Sequence, residues 1–160
     1  MQEEASSEGI SPNAMANRVL RDYCLFYRYL KRFPSITLTQ KSFSSIVGAC
    51  PKEDLIISAK KAGSVNAQDI LNTLGLSFDR ENITYLIKDF YGHYGNWFTY
   101  NHHIKDGKEV FHLRHNLGEN WSVFISEAIS TLFEYGLNKK VKLEFSEGSV
   151  TIDAPAMQRL

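Results

Sequence analysis

Residues 111–136 read FHLRHNLGENWSVFISEAISTLFEYG, and the fold is decided there. Phe111 and Leu113 alternate with His112 and Arg114, the period of a strand with one face turned inward. His115-Asn116-Leu117-Gly118 then forms a tight corner. From about Gly118 to Tyr135, Trp121, Phe124, Ile125, Ala128, Ile129, Leu132 and Phe133 recur at helical spacing, while Glu119, Ser122, Ser126, Glu127, Ser130 and Glu134 fall on the opposite side. Gly136 is expected to end the helix in the left-handed conformation.

Hairpins flank this core on both sides. Asp106-Gly107 is a two-residue turn, since both residues tolerate positive φ. It pairs Phe98, Tyr100, His102 and Ile104 with Glu109, Phe111, Leu113 and His115 on an inner face. The outer face carries Trp97, Thr99, Asn101, His103, Lys105, Lys108, Val110, His112 and Arg114. Downstream, a Glu147-Gly148 turn sets Phe145 opposite Val150 and Leu143 opposite Ile152, so apolar residues meet apolar residues. Residues 93–160 are therefore a ββαββ domain, a four-stranded antiparallel sheet covered by one long helix, with a frayed end from Met157 to Leu160.

Upstream the pattern is helical. Ser11-Pro12 is a cap followed by proline at the first helical position. Met15, Val19, Tyr23, Phe26, Tyr27 and Leu30 then mark a helix to about Lys31, stopped before Pro34. Thr39 caps a short helix with Phe43, Ile46 and Val47. Pro51 opens another, with Leu55, Ile56 and Ala59 inward and Gly63 at its end. A third carries Ile70, Leu71 and Leu74 and stops at Gly75, and Asp79 caps a fourth with Ile83, Leu86, Ile87 and Phe90. Such short helices must pack together. The fold class is α+β: an N-terminal helical segment (1–33), a small bundle of short helices (34–92) and the ββαββ domain.

Composition narrows function. Apolar residues make up 43% of 160, enough for a core. Lys plus Arg equals Asp plus Glu, 18 against 18, so no net charge draws the chain to polyanions. No apolar run reaches the ~20 residues of a membrane span, and a cytoplasmic protein without a membrane partner is expected. Cys24 and Cys50 are too few for a disulfide framework. His102, His103, His112 and His115 are clustered in sequence, but the register divides them between two faces, so neither a metal nor another cofactor is expected. Ser122 lies inside a helix with no nucleophile elbow around it; it is expected to satisfy amides of the first helical turn, and His115 to hold the corner to the helix start. No catalytic residue is assigned.

Two stretches carry a resemblance. Residues 3–33, EEASSEGISPNAMANRVLRDYCLFYRYLKRF, resemble the two-helix part of ribbon–helix–helix DNA-binding proteins: a Gly9-Ile10-Ser11 turn, then Asn13-Ala14 opening a long second helix. Residues 114–134 are similar to a histidine–x–leucine–glycine–x–x–tryptophan–serine stretch of archaeal proteins with that N-terminus, matched here by His115, Leu117, Gly118, Trp121 and Ser122. The resemblance implies a non-catalytic, transcription-factor-like regulator of archaeal type. It would dimerise through Met15, Val19, Tyr23 and Phe26, with DNA or a protein as partner, and its C-terminal domain would bind a ligand or protein. The ribbon strand that reads DNA in such proteins precedes the first helix. Only the acidic MQEEASSEG stands there, so the chain is expected to be either a fragment or a relative without the ribbon. Two alternatives follow from the residues. One is a nucleic-acid-binding module on the outer face, using Lys105, Lys108, Arg114, His103 and His112 with Trp97 to stack. The other is a small metal- or ligand-dependent enzyme.

Overall fold

The computed structural model describes residues 1–30, 32–33, 36–105 and 107–155. The predicted helix end at Lys31, the stop at Pro34, Asp106 of the first turn and the end from Met157 lie outside them. The chain divides into two compact units, residues 1–36 and 37–160.

The first unit holds α1 (Gln2–Ser7) and α2 (residues 12–30). The Ser11 side chain accepts from the Ala14 amide, and Pro12 opens α2 as its sequence dictates. A π-helical stretch over Tyr23–Tyr27 widens α2 without ending it. Met15 and Phe26 are buried, whereas Val19, Leu20, Tyr23, Leu25 and Tyr27 are each about half exposed or more.

The second unit is built around α6 (Glu119–Leu137). Helices α3 (Gln40–Gly48), α4 (residues 52–74) and α5 (residues 80–94) pack on one side of it. The sheet formed by β1 (Thr99–Lys105), β2 (Lys108–Arg114), β3 (Lys142–Ser146) and β4 (Ser149–Pro155) lies on the other. Strand order is β1-β2-β4-β3, all neighbours antiparallel, so β4 slots between the two strands that α6 connects. Both hairpin registers are those read from the turns: His102 faces Phe111 and Tyr100 faces Leu113, while Phe145 faces Val150 and Leu143 faces Ile152.

Four expectations are corrected. First, α4 is long: the ladder passes through a π-helical turn at Ala62–Asn66, where a helix end was expected at Gly63, while α5 carries Ile83, Leu86, Ile87 and Phe90 as expected and is π-helical from Leu86 to Tyr94. Second, the helices and the sheet share one core, running from Val47, Leu55, Leu71 and Ile83 to Phe111 and Ile152, so no boundary between cores falls at Gly92. Third, the serine side of α6 does not face water. Ser122 is 0% and Ser126 4% exposed, and of the 19 residues in α6 only Glu119, Glu134 and Tyr135 are exposed. Fourth, the inner face is covered only at its centre: Phe111, Leu113, Val150, Ile152 and Ala154 are buried, but Ile104 and Phe145 at the sheet margins are exposed.

Glycines allow this packing. A Cβ on Gly63 would lie 2.0 Å from the Ala128 carbonyl oxygen, so α4 crosses α6 backbone against backbone. Gly136 is helical rather than a cap, and a Cβ there would lie 2.1 Å from the Phe78 ring. Asn138, at φ 51°, takes the left-handed cap position instead. The void between α4, α5 and α6, lined by Gly63, Tyr91, Trp97, Ile125 and Ala128, amounts to about 10 Å³, so this part of the core is filled. Among the described residues no helix is long and apolar enough to cross a membrane.

Gly63→Ala is expected to cost about 2 kcal/mol or more, because a helix backbone has to shift, and Gly136→Ala less, because the Phe78 ring can swing away. Urea unfolding of both variants checks the order. Equal midpoints for Gly63→Ala and the parent chain would remove the close crossing.

Candidate functional site

The His115–Ser122 corner is the most highly connected polar site on α6. The His115 amide donates to the Gly148 carbonyl at 3.0 Å, tying the corner to the second hairpin turn. The Leu117 amide donates to His115 Nδ1 at 3.3 Å, and His115 Nε2 lies 2.9 Å from Ser122 Oγ. An amide can only donate, so Nδ1 is the unprotonated nitrogen and Nε2–H donates to the serine. A nucleophilic serine needs the opposite arrangement, with the ring nitrogen accepting its proton. Ser122 is also fully buried. The expected role of Ser122 toward first-turn amides is replaced by this bond to His115. Burial pulls the His115 pKa down, which keeps the ring neutral.

The rest of the motif is structural in the same sense. Gly118 stands at φ 86°, where other residues are strained, and lets the chain enter α6 without a side-chain cap. Leu117 is buried, and its carbonyl accepts from Ser44 Oγ at 3.3 Å. Trp121 donates its indole N–H to the Trp97 carbonyl at 3.2 Å and meets Phe43 edge-on at 4.8 Å. Asn120, which the sequence pattern did not single out, donates to the Val47 and Cys50 carbonyls, satisfying the C-terminal end of α3.

The residues expected on the outer face divide. His103, Lys105, Lys108, His112 and Arg114 all lie on β1 and β2 and share that face by register. The His103 and His112 rings stack at 5.3 Å, and His112 Nδ1 lies 3.1 Å from Thr151 Oγ1. Trp97 does not join them. It precedes β1, its ring stacks on Tyr91 at 4.3 Å and meets Trp121 at 5.2 Å, so it belongs to the core aromatic group. Its place just ahead of the strand misled the alternation.

At the opposite end of the inner face, His102 stacks on Phe111 at 4.3 Å, and Glu109 pairs with Arg80 of α5. Burial lowers the His102 pKa, the Glu109 carboxylate opposes that shift, and Lys88, His103 and Arg80 reinforce it. Among the described residues no three His, Cys, Asp or Glu side chains converge as a metal site. Two open hollows flank Arg114. One is about 310 Å³ and is lined by Gln40, Asn96, Thr99, Arg114 and Asn116 together with Trp97, Phe98 and His115. The other, about 400 Å³, lies against Thr99, Asn101, His112 and Arg114. The β1–β2 register brings Asn96 toward Arg114, since Thr99 is the partner of Arg114, but nothing in the sequence pattern brings Gln40 of α3 there.

Comparison with protein-family models, curated proteins and solved structures gave no match.

Because His115 and His102 are both held neutral by burial, the unfolded chain binds more protons than the folded one just below the ordinary histidine range. Stability is then complete above about pH 6.5 and falls as pH drops below it. His115→Asn should flatten that decline between about pH 7 and 5 while lowering stability at pH 7 by about 1–3 kcal/mol, through the hydroxyl it leaves buried. Thermal melts across that range check both. An equally steep decline in the variant would contradict the assignment.

Proposed function

We propose that this chain is a non-catalytic, regulator-like protein. In this reading α2 pairs with a second copy, and the sheet-bearing unit is a rigid binding scaffold. One observation carries the first part. Val19 at 51%, Leu20 at 61% and Tyr23 at 50% exposure lie on one side of α2, with Tyr27 one turn further on. Of the residues first expected to form a dimer helix, Met15 and Phe26 are already buried and unavailable; Val19 and Tyr23 keep that role.

A second copy fits this row. The whole chain is neutral, and on α2 Arg18 is paired with Glu8, which reduces the like-charge repulsion that Arg21 and Arg28 bring to self-association. Completing the burial of a half-exposed large apolar side chain contributes about 1 kcal/mol. Four residues on each of two copies give about 8 kcal/mol, against an association cost of at least about 4. The dimer is then weak, with a dissociation constant on the order of 1 mM.

The regulator reading also rests on the resemblance of residues 3–33 to ribbon–helix–helix proteins. Nucleic-acid binding by the outer sheet face keeps its cations in this reading but loses Trp97 as a stacking platform.

Sedimentation equilibrium from about 50 µM to about 2 mM tests the pairing, a range set by that affinity. The mass should rise toward twice that of the chain, and Tyr23→Glu should hold it at one. A constant monomer mass over the whole range would sink the proposal.

A further inference from the structure

We infer that the sheet-bearing unit binds a small organic phosphate ester, with the phosphoryl group on the Arg114 guanidinium where the two hollows meet. This deepens the scaffold reading above and rests on it, but is independent of the pairing through α2.

Arg114 lines both hollows, and so does Thr99. Arg114 is exposed and forms no ion pair among the described residues, whereas Arg18, Lys52, Arg80 and Lys142 each have a carboxylate partner. No carboxylate lines either hollow. The positive charge is therefore left available for an external anion. Around it stand neutral groups able to donate: the side-chain amides of Gln40, Asn96 and Asn116. A fork of guanidinium donors ringed by neutral donors suits a phosphoryl group, whose three terminal oxygens accept in several directions. The second hollow, with Asn101 and the flat His112 ring at its wall, gives the organic body a place to lie. Volumes of about 310 and 400 Å³ fall in the range of small-molecule sites.

A compact ligand is favoured over a nucleic-acid strand by the spacing of charge. Lys108 lies six residues from Arg114 along β2, about 20 Å away at strand rise. The cations thus sit at opposite ends of the strands and do not follow a single track. Trp97 is turned into the aromatic core.

Isothermal titration of the full chain with inorganic phosphate, adenosine monophosphate, adenosine and a short oligothymidylate tests the site. Adenosine monophosphate should bind saturably, adenosine at least about tenfold more weakly, and Arg114→Ala should weaken the monophosphate at least about tenfold. Arg114→Lys should recover only part of the loss, since it keeps the charge without the fork. Unliganded melting of Arg114→Ala should match the parent, because the side chain supports no packing. The inference is overturned if neither phosphate nor the monophosphate binds at about 10 mM. It is equally overturned if Arg114→Ala leaves the monophosphate unaffected. Oligothymidylate binding without monophosphate binding, lost alike in Lys105→Ala, Lys108→Ala and Arg114→Ala, would assign the face to nucleic acid instead. Light scattering on the same samples reports pairing separately, so the two readings fail separately.

Discussion

The second unit depends on one constraint: α6 must be buried on two opposite sides at once. A helix with a single apolar stripe needs one partner layer. α6 has a stripe of Trp121, Ile125, Ala128, Ile129 and Leu132, and Ser122 and Ser126, outside that stripe, are buried as well. On the side of Ala128 and Thr131 another backbone comes close. Gly63 completes that approach from α4 by having no side chain where the Ala128 carbonyl lies. One hydroxyl bears a cost, since Ser126 Oγ is buried without a hydrogen-bond partner.

That double burial dictates how α6 must begin. Its first turn sits between α3, the second hairpin turn and the aromatic group, so its polar groups have to find protein partners. Asn120 turns toward the end of α3, His115 holds Ser122 and the Leu117 amide, and Trp121 reaches the Trp97 carbonyl. A histidine, glycine, tryptophan and serine close together resemble a reactive corner on paper. The tautomer that the Leu117 amide imposes makes this pair a brace.

Much of the α+β unit is legible in the sequence for a local reason. Two-residue turns fix register, and register fixes faces, so the pairing of His102 with Phe111 and of Phe145 with Val150 follows from Asp106-Gly107 and Glu147-Gly148 alone. Helix ends were less legible. Gly63 and Gly136 look like stop signals, but their backbones stay helical because another element occupies the space a side chain would need. Ser122 and Ser126 look like a solvent face because serine is polar, yet both are buried, Ser122 against His115, which follows β2. The strand order, with β4 between β2 and β3, and the meeting of Gln40 with Arg114 are tertiary facts with no local signature. Trp97 was placed by extending an alternation one residue beyond where the strand begins.

Function follows from which surfaces are committed to the core. In the second unit nearly all of α6 and the centre of the inner sheet face are used up, leaving the outer face and the Arg114 hollows to meet other molecules. In the first unit α2 keeps an apolar row in solvent. Amide hydrogen exchange on the full chain tests this division most directly. The amides of α6, β2 and β4 should exchange last and together, at the rate of global unfolding, while those of Val19–Tyr27 exchange early in dilute solution and slow as concentration rises. Exchange of α6 ahead of the margin strand β1, or protection of Val19–Tyr27 that ignores concentration, would contradict it.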